Sequence, residues 1–92
     1  MNLTIWKYNL IVNDEQYLQM PKGAKILSAQ VQHGAIAIWV MVDPRKPKVE
    51  RNIQMAGTGH DLSERIMGDF IGTIQISGGS LIFHIFDGGE KL

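Results

Sequence analysis

The densest run of chemistry-bearing residues in the chain is Gly57-Thr58-Gly59-His60. Two glycines around a threonine let successive backbone N–H groups turn toward one point, an arrangement that cradles phosphate or carboxylate. Thr58 adds a hydroxyl. His60 adds a ring that can donate to an anion or stack on a base. This chemistry suits a nucleotide or a similar small anion. The segment is not the G-x-x-x-x-G-K-[ST] phosphate loop, and it does not join a strand to a long helix. Glycine also serves any turn that needs positive φ, so the same residues read equally as a plain loop ending a strand.

Other candidates are sparse. Arg51 alternates with Val49 and Ile53 and so shares their face of a strand. There it can clamp a phosphate bidentately or pair with an acid. Trp6, Tyr8 and Trp39 have core packing as their ordinary role and stacking on a ligand base as the alternative. His33, His60 and His84 stand at no ligand spacing and have no accompanying acidic pair, so no metal site is expected. The serines lack a nucleophile elbow, and the spacing of Asp43, Asp61, Glu64 and Asp69 nominates no acid–base pair. The expectation is a protein without catalytic residues or cofactor, with Gly57, Thr58, Gly59, His60, Arg51, Trp6 and Tyr8 as ligand-binding candidates.

Composition narrows the classes. The 92 residues suit a single domain over 1–92, and 45% hydrophobic residues suffice for a core. Nine basic residues balance nine acidic ones, which argues against non-specific nucleic-acid binding but leaves room for a local anion pocket. The basic residues Lys22, Lys25, Arg45, Lys46, Lys48 and Arg51 gather in the first half, and Asp61, Glu64, Asp69, Asp87 and Glu90 in the second. Without cysteine, disulfides, thiolate metal sites and thiol nucleophiles are all excluded. The first twelve residues lack the basic and apolar regions of a signal peptide, and no apolar run nears the ~20 residues of a membrane span. A core this small also makes a homo-oligomer an expectation.

The elements that would position these residues read as strands. Residues 4–12, 24–32 and 48–57 alternate apolar and polar, with Leu27, Ala29 and Val31 expected inward. Residues 15–20 alternate weakly. His33-Gly34 reads as a two-residue hairpin turn into 35–42, AIAIWVMV, which is apolar on both parities and is expected to be central and covered on both faces. The two prolines of 43–48 make an exposed loop. Asp61 with Glu64 resembles a helix capping box, so Asp61 is expected to cap at most one short helical turn near 61–67. Residues 69–77 and 80–86 are strands around a Gly78-Gly79 turn, and 87–92 is a frayed tail. The fold class expected is all-β, a small antiparallel sandwich or barrel of about seven strands.

The ordered segments KYNL (7–10), MPKGAKILSAQVQ (20–32), Trp39 with VDP (42–44), ERNI (50–53), GTGH (57–60), FIGT (70–73) and LIFHIF (81–86) resemble a family of small phage, prophage and bacterial proteins of unassigned function. The chain departs from that pattern at 61–69, DLSERIMGD, where an acidic, proline-containing loop is expected. The resemblance carries no established activity. It implies a phage-type accessory protein in the cytoplasm of an infected bacterium. The leading expectation is a non-enzymatic sponge for a nucleotide-derived immune signal, with a cyclic nucleotide or ADP-ribose-type ligand. The alternatives are an inhibitor that binds a host defence protein, and a structural or regulatory phage component.

Overall fold

A computed structural model describes residues 2–91. Seven strands form: β1 (Thr4–Asn9), β2 (Glu15–Pro21), β3 (Lys25–Gln32), β4 (Ala35–Val42), β5 (Lys48–Gly57), β6 (Asp69–Ile76) and β7 (Leu81–Glu90). They make two sheets, one of order β1-β4-β3 and one of order β2-β5-β7-β6. Every neighbouring pair is antiparallel. The sheets face each other as a sandwich and do not close into a barrel. On one side β3 lies beside β6 without joining it: a methyl added to Gly72 would sit 3.6 Å from the Ala29 carbonyl oxygen.

Alternation explains the core. Ile36, Ile38, Val40 and Val42 project from one side of β4 onto Ile53 and Met55 of β5, Ile74 of β6 and Ile85 of β7. The His33-Gly34 turn has φ of 51° and 78° at its two residues, the left-handed pair that matches hairpin twist.

Four sequence expectations are corrected. Asp61 does not cap a helix: none forms over 61–67, within the expected limit of at most one turn there, and the one short helical turn among the described residues is the 3-10 turn Ser77–Gly79. In the 58–68 loop Asp61 accepts hydrogen bonds from the backbone and hydroxyl of Ser63, at 2.9 and 2.7 Å, an Asx turn in place of a helix cap. The Gln54 amide then takes the Ile66 carbonyl and the Gly68 N–H, each at 2.8 Å, so side chains hold backbone groups a helix would have paired. Leu27 is not inward: a register shift between Ile26 and Ser28 turns Ile26 to the core and leaves Leu27 exposed. Strand β4 is central in its sheet, but only one parity is covered by the other sheet; Trp39 and Met41, on the other parity, are half-buried. Lastly, residues 87–90 are not a frayed tail but the end of β7, paired with Arg51–Ile53.

Candidate ligand-binding cleft

Strand β5 ends at Gly57, and its last inward residues are Ile53, Met55 and Gly57. The chain then turns back through Thr58 and Gly59, whose φ of +87° favours glycine. His60 closes the turn: its N–H donates to the Gly57 carbonyl at 3.1 Å, and its Nδ1 accepts the Gly57 N–H at 3.2 Å. A ring that accepts at Nδ1 carries its proton on Nε2, which remains a donor. The ring lies flat against Gly57, where an added methyl would meet it at 2.8 Å. Glycine at 57 is therefore what lets His60 fold down.

Beside this turn runs the start of β7. An open cleft of about 330 Å³ is lined by Gly57, Thr58 and His60 on one side and Ser80 to Phe83 on the other. Its volume lies at the small end of the ~300–1,000 Å³ range of ligand sites. The floor is apolar, from Leu81 and Phe83, and the polar groups at the rim are the His60 ring and the Thr58 and Ser80 hydroxyls. No lysine or arginine lines it.

Thr58 also faces the other way. Its hydroxyl lies 2.8 Å from His84 Nε2, and the Thr73 hydroxyl lies 2.9 Å from His84 Nδ1. His84 stands on the outer face of the sheet, opposite in parity to buried Ile85. A neutral ring donates to one hydroxyl and accepts from the other, so His84 ties the 57–60 turn to β6 across β7. This bracket was not visible from spacing, because 58, 73 and 84 meet only through strand register: Thr73 pairs with His84, and Ala56 with His84.

Residues 1–91 match the family described as Domain of unknown function (DUF7352). The chain belongs to that family. No curated protein and no solved structure matches it. Three of the segments that carry the sequence resemblance, GTGH, FIGT and LIFHIF, supply Thr58, Thr73 and His84 to one side-chain bracket.

The remaining candidates lie elsewhere. Arg51 is six residues up β5 from Gly57, about 20 Å along an extended strand. It is fully committed: Nε and Nη2 grip both Asp87 oxygens at 2.8 and 2.7 Å, and Nη1 donates to the Ala24 carbonyl at 2.8 Å. Glu90 approaches at 3.9 Å and accepts the Gly23 N–H at 2.6 Å. Of its two sequence readings, Arg51 pairs with an acid. The Asp87 hydrogen bonds hold the Arg51 guanidinium above its ordinary value. Burial pushes the Asp87 carboxyl up, but its bonds to Arg51 and to the Gly89 N–H outweigh that and leave it below the usual carboxylate range. Trp6 and Tyr8 belong to the other sheet, pack against the core, and do not line the cleft. Lys48 Nζ sits 5.9 Å from the Trp6 ring, which places Trp6 at the end of β5 remote from Gly57. In the basic 43–48 loop, Arg45 is hydrogen-bonded to Asp43 and holds its carboxyl down at about 2. Among the described residues no cluster of three or more potential ligands for a metal occurs, and no helix is long and apolar enough to cross a membrane.

Proposed function

We propose that the chain is a non-enzymatic binding protein that sequesters a small anionic, nucleotide-derived ligand in the cleft beside Gly57–His60. The observation that supports it is the His60 ring, held down by Gly57 with Nε2 left as a donor at an apolar-floored cleft. Thr58 and Ser80 add hydroxyls, and the base of a nucleotide would rest against Leu81 and Phe83. Among the described residues no lysine or arginine lines the cleft, and Arg51 is engaged by Asp87. The reading therefore favours ligands of low charge per size, such as cyclic dinucleotides or ADP-ribose derivatives, over nucleoside triphosphates. In the phage setting implied by the sequence resemblance, sequestration would withdraw a defence signal from its receptor.

Native mass spectrometry with a panel of cyclic di- and trinucleotides and ADP-ribose derivatives tests this. The expected result is one ligand class bound at fixed stoichiometry and recovered unchanged, with loss of binding in Gly57→Ala and His60→Ala proteins that remain folded. Turnover of the ligand, or binding that survives both substitutions, overturns the reading.

One observation favours a second reading, an inhibitor of a host defence protein. Ile66 is 93% exposed and Phe70 61%, and Phe70 stands edge-on to Phe86 at 5.7 Å. Such a patch suits a protein partner. Co-purification of a host protein that is lost on Phe70→Lys, with no small ligand bound, would select it.

A further inference from the structure

The two outer faces of the sandwich differ. On the outer face of the β1-β4-β3 sheet, register places Ile5 beside Met41 and Lys7 beside Trp39. Leu3 and Ile5 are 48% and 56% exposed, and Leu27 joins them from β3. Leu3, Thr4, Ile5 and Met41 line an open groove of about 470 Å³. On the same parity Ala37 is fully buried, and Trp39 and Met41 are half-buried. The charged side chains of this face are Lys25, on the edge strand β3, and Lys7. Lys7 does not stand out from the sheet: its Nζ donates to Gln32 at 2.9 Å, so its stem runs across β4 from β1 to β3.

We propose that this face is the interface of a homodimer in which two copies pack sheet to sheet through Ile5, Trp39 and Met41. Three quantities point to a second copy. First, the fold is a slab with principal extents of 41 × 32 × 16 Å and a radius of gyration of 13.4 Å. A compact domain of this length has about 12.3 Å. Stacking two slabs with sheets ~10 Å apart yields a particle about as thick as it is wide. Secondly, the exposed surface is 5765 Å² for 10.3 kDa. A monomer of that mass exposes about 5,350 Å². Thirdly, six residues of β1 and eight each of β3 and β4 present a continuous face ~14 Å across and ~20–26 Å long, which with its side-chain relief approaches the ~800 Å² per partner of a stable pair. A flat apolar sheet face is best matched by another, and the copy supplies one with the same shape. The apolar second parity of β4 then has the cover its sequence calls for.

Sedimentation velocity over a dilution series tests the interface. The native chain is expected at twice 10.3 kDa. Ile5→Lys and Met41→Lys should sediment as folded monomers with unchanged far-UV circular dichroism. Phe70→Lys, on the other outer face, should leave the dimer intact. A chain with Trp6→Phe keeps Trp39 as its single tryptophan, and its emission should shift to the red on dilution. A native monomer throughout, Trp39 emission indifferent to dilution, or a dimer broken by Phe70→Lys but not by Ile5→Lys overturns the proposal. If a lysine substitution fails to fold, the Trp39 emission decides.

Discussion

The two ends of β5 use polar residues in opposite ways. At one end each of the three Arg51 guanidinium nitrogens donates to Asp87 or to the Ala24 carbonyl, and Glu90 accepts the Gly23 N–H. The Arg51 and Asp87 side chains retain only 11% and 17% of their exposure. At the other end Thr58 and His60 are exposed, and His60 keeps a ring nitrogen free of the turn it closes. A charged residue with the reach to bind phosphate has become scaffold, tying the β2–β3 turn to β5 and β7. Uncharged groups with shorter reach are what remain open to solvent. Residue type made both ends candidates; burial and the partners each side chain already holds separate them.

The comparison can be broken most sharply at Arg51. Asp87→Ala strands a guanidinium among buried groups and should cost about 3 kcal/mol, the low end for a broken buried pair. Urea unfolding measures it, and a loss under 1 kcal/mol would mean the pair is not scaffold. Acid should reach the same end more gently. Asp87 has a depressed folded value, so it contributes stability above the ordinary Asp range, near 3.9, and that contribution is lost as pH falls through its lower folded value. The stability gap between the native chain and Asp87→Asn should thus be full at pH 7 and shrink below about pH 4. A constant gap would contradict this. At the other end Gly59→Val must hold a branched residue at φ +87°, at a cost of about 1–3 kcal/mol by thermal melting, together with loss of ligand binding. Thr73→Val removes one hydrogen bond from His84 and should cost about 0.5–1 kcal/mol while changing the His84 ring's NMR shifts. Unchanged shifts would dissolve the bracket.

Much of the fold was legible because strand alternation is local. Residues 48–57 alternate in sequence and form β5 over the same span, and His33-Gly34 turns where a hairpin turn was expected. What was hidden depends on register and competition. Leu27 reads as inward until a bulge shifts the pleat by one residue. The capping pattern of Asp61 and Glu64 is outbid by Ser63 and by Gln54, seven or more residues away. Of the candidate site, the 57–60 turn was legible from its glycines. Its partner His84 was not, since it arrives from 24 residues later through pairing of β7 with β5. Asp87 as the partner of Arg51 was hidden for the same reason.

The strand order also bears on how the chain folds. Only β3–β4 and β6–β7 join strands that are consecutive in sequence. The other pairings close long loops: Thr4 meets Val42, Glu15 meets Gln54, and Arg51 meets Glu90. Loop closure must come before those contacts stabilise anything, which places folding in the millisecond-to-second range of sandwich topologies. Two hairpins should form first and wait. During synthesis, β5 has no inner neighbour in its sheet until residues 81–90 have emerged, so the Arg51 charge stays hydrated until the last strand delivers its counter-ion.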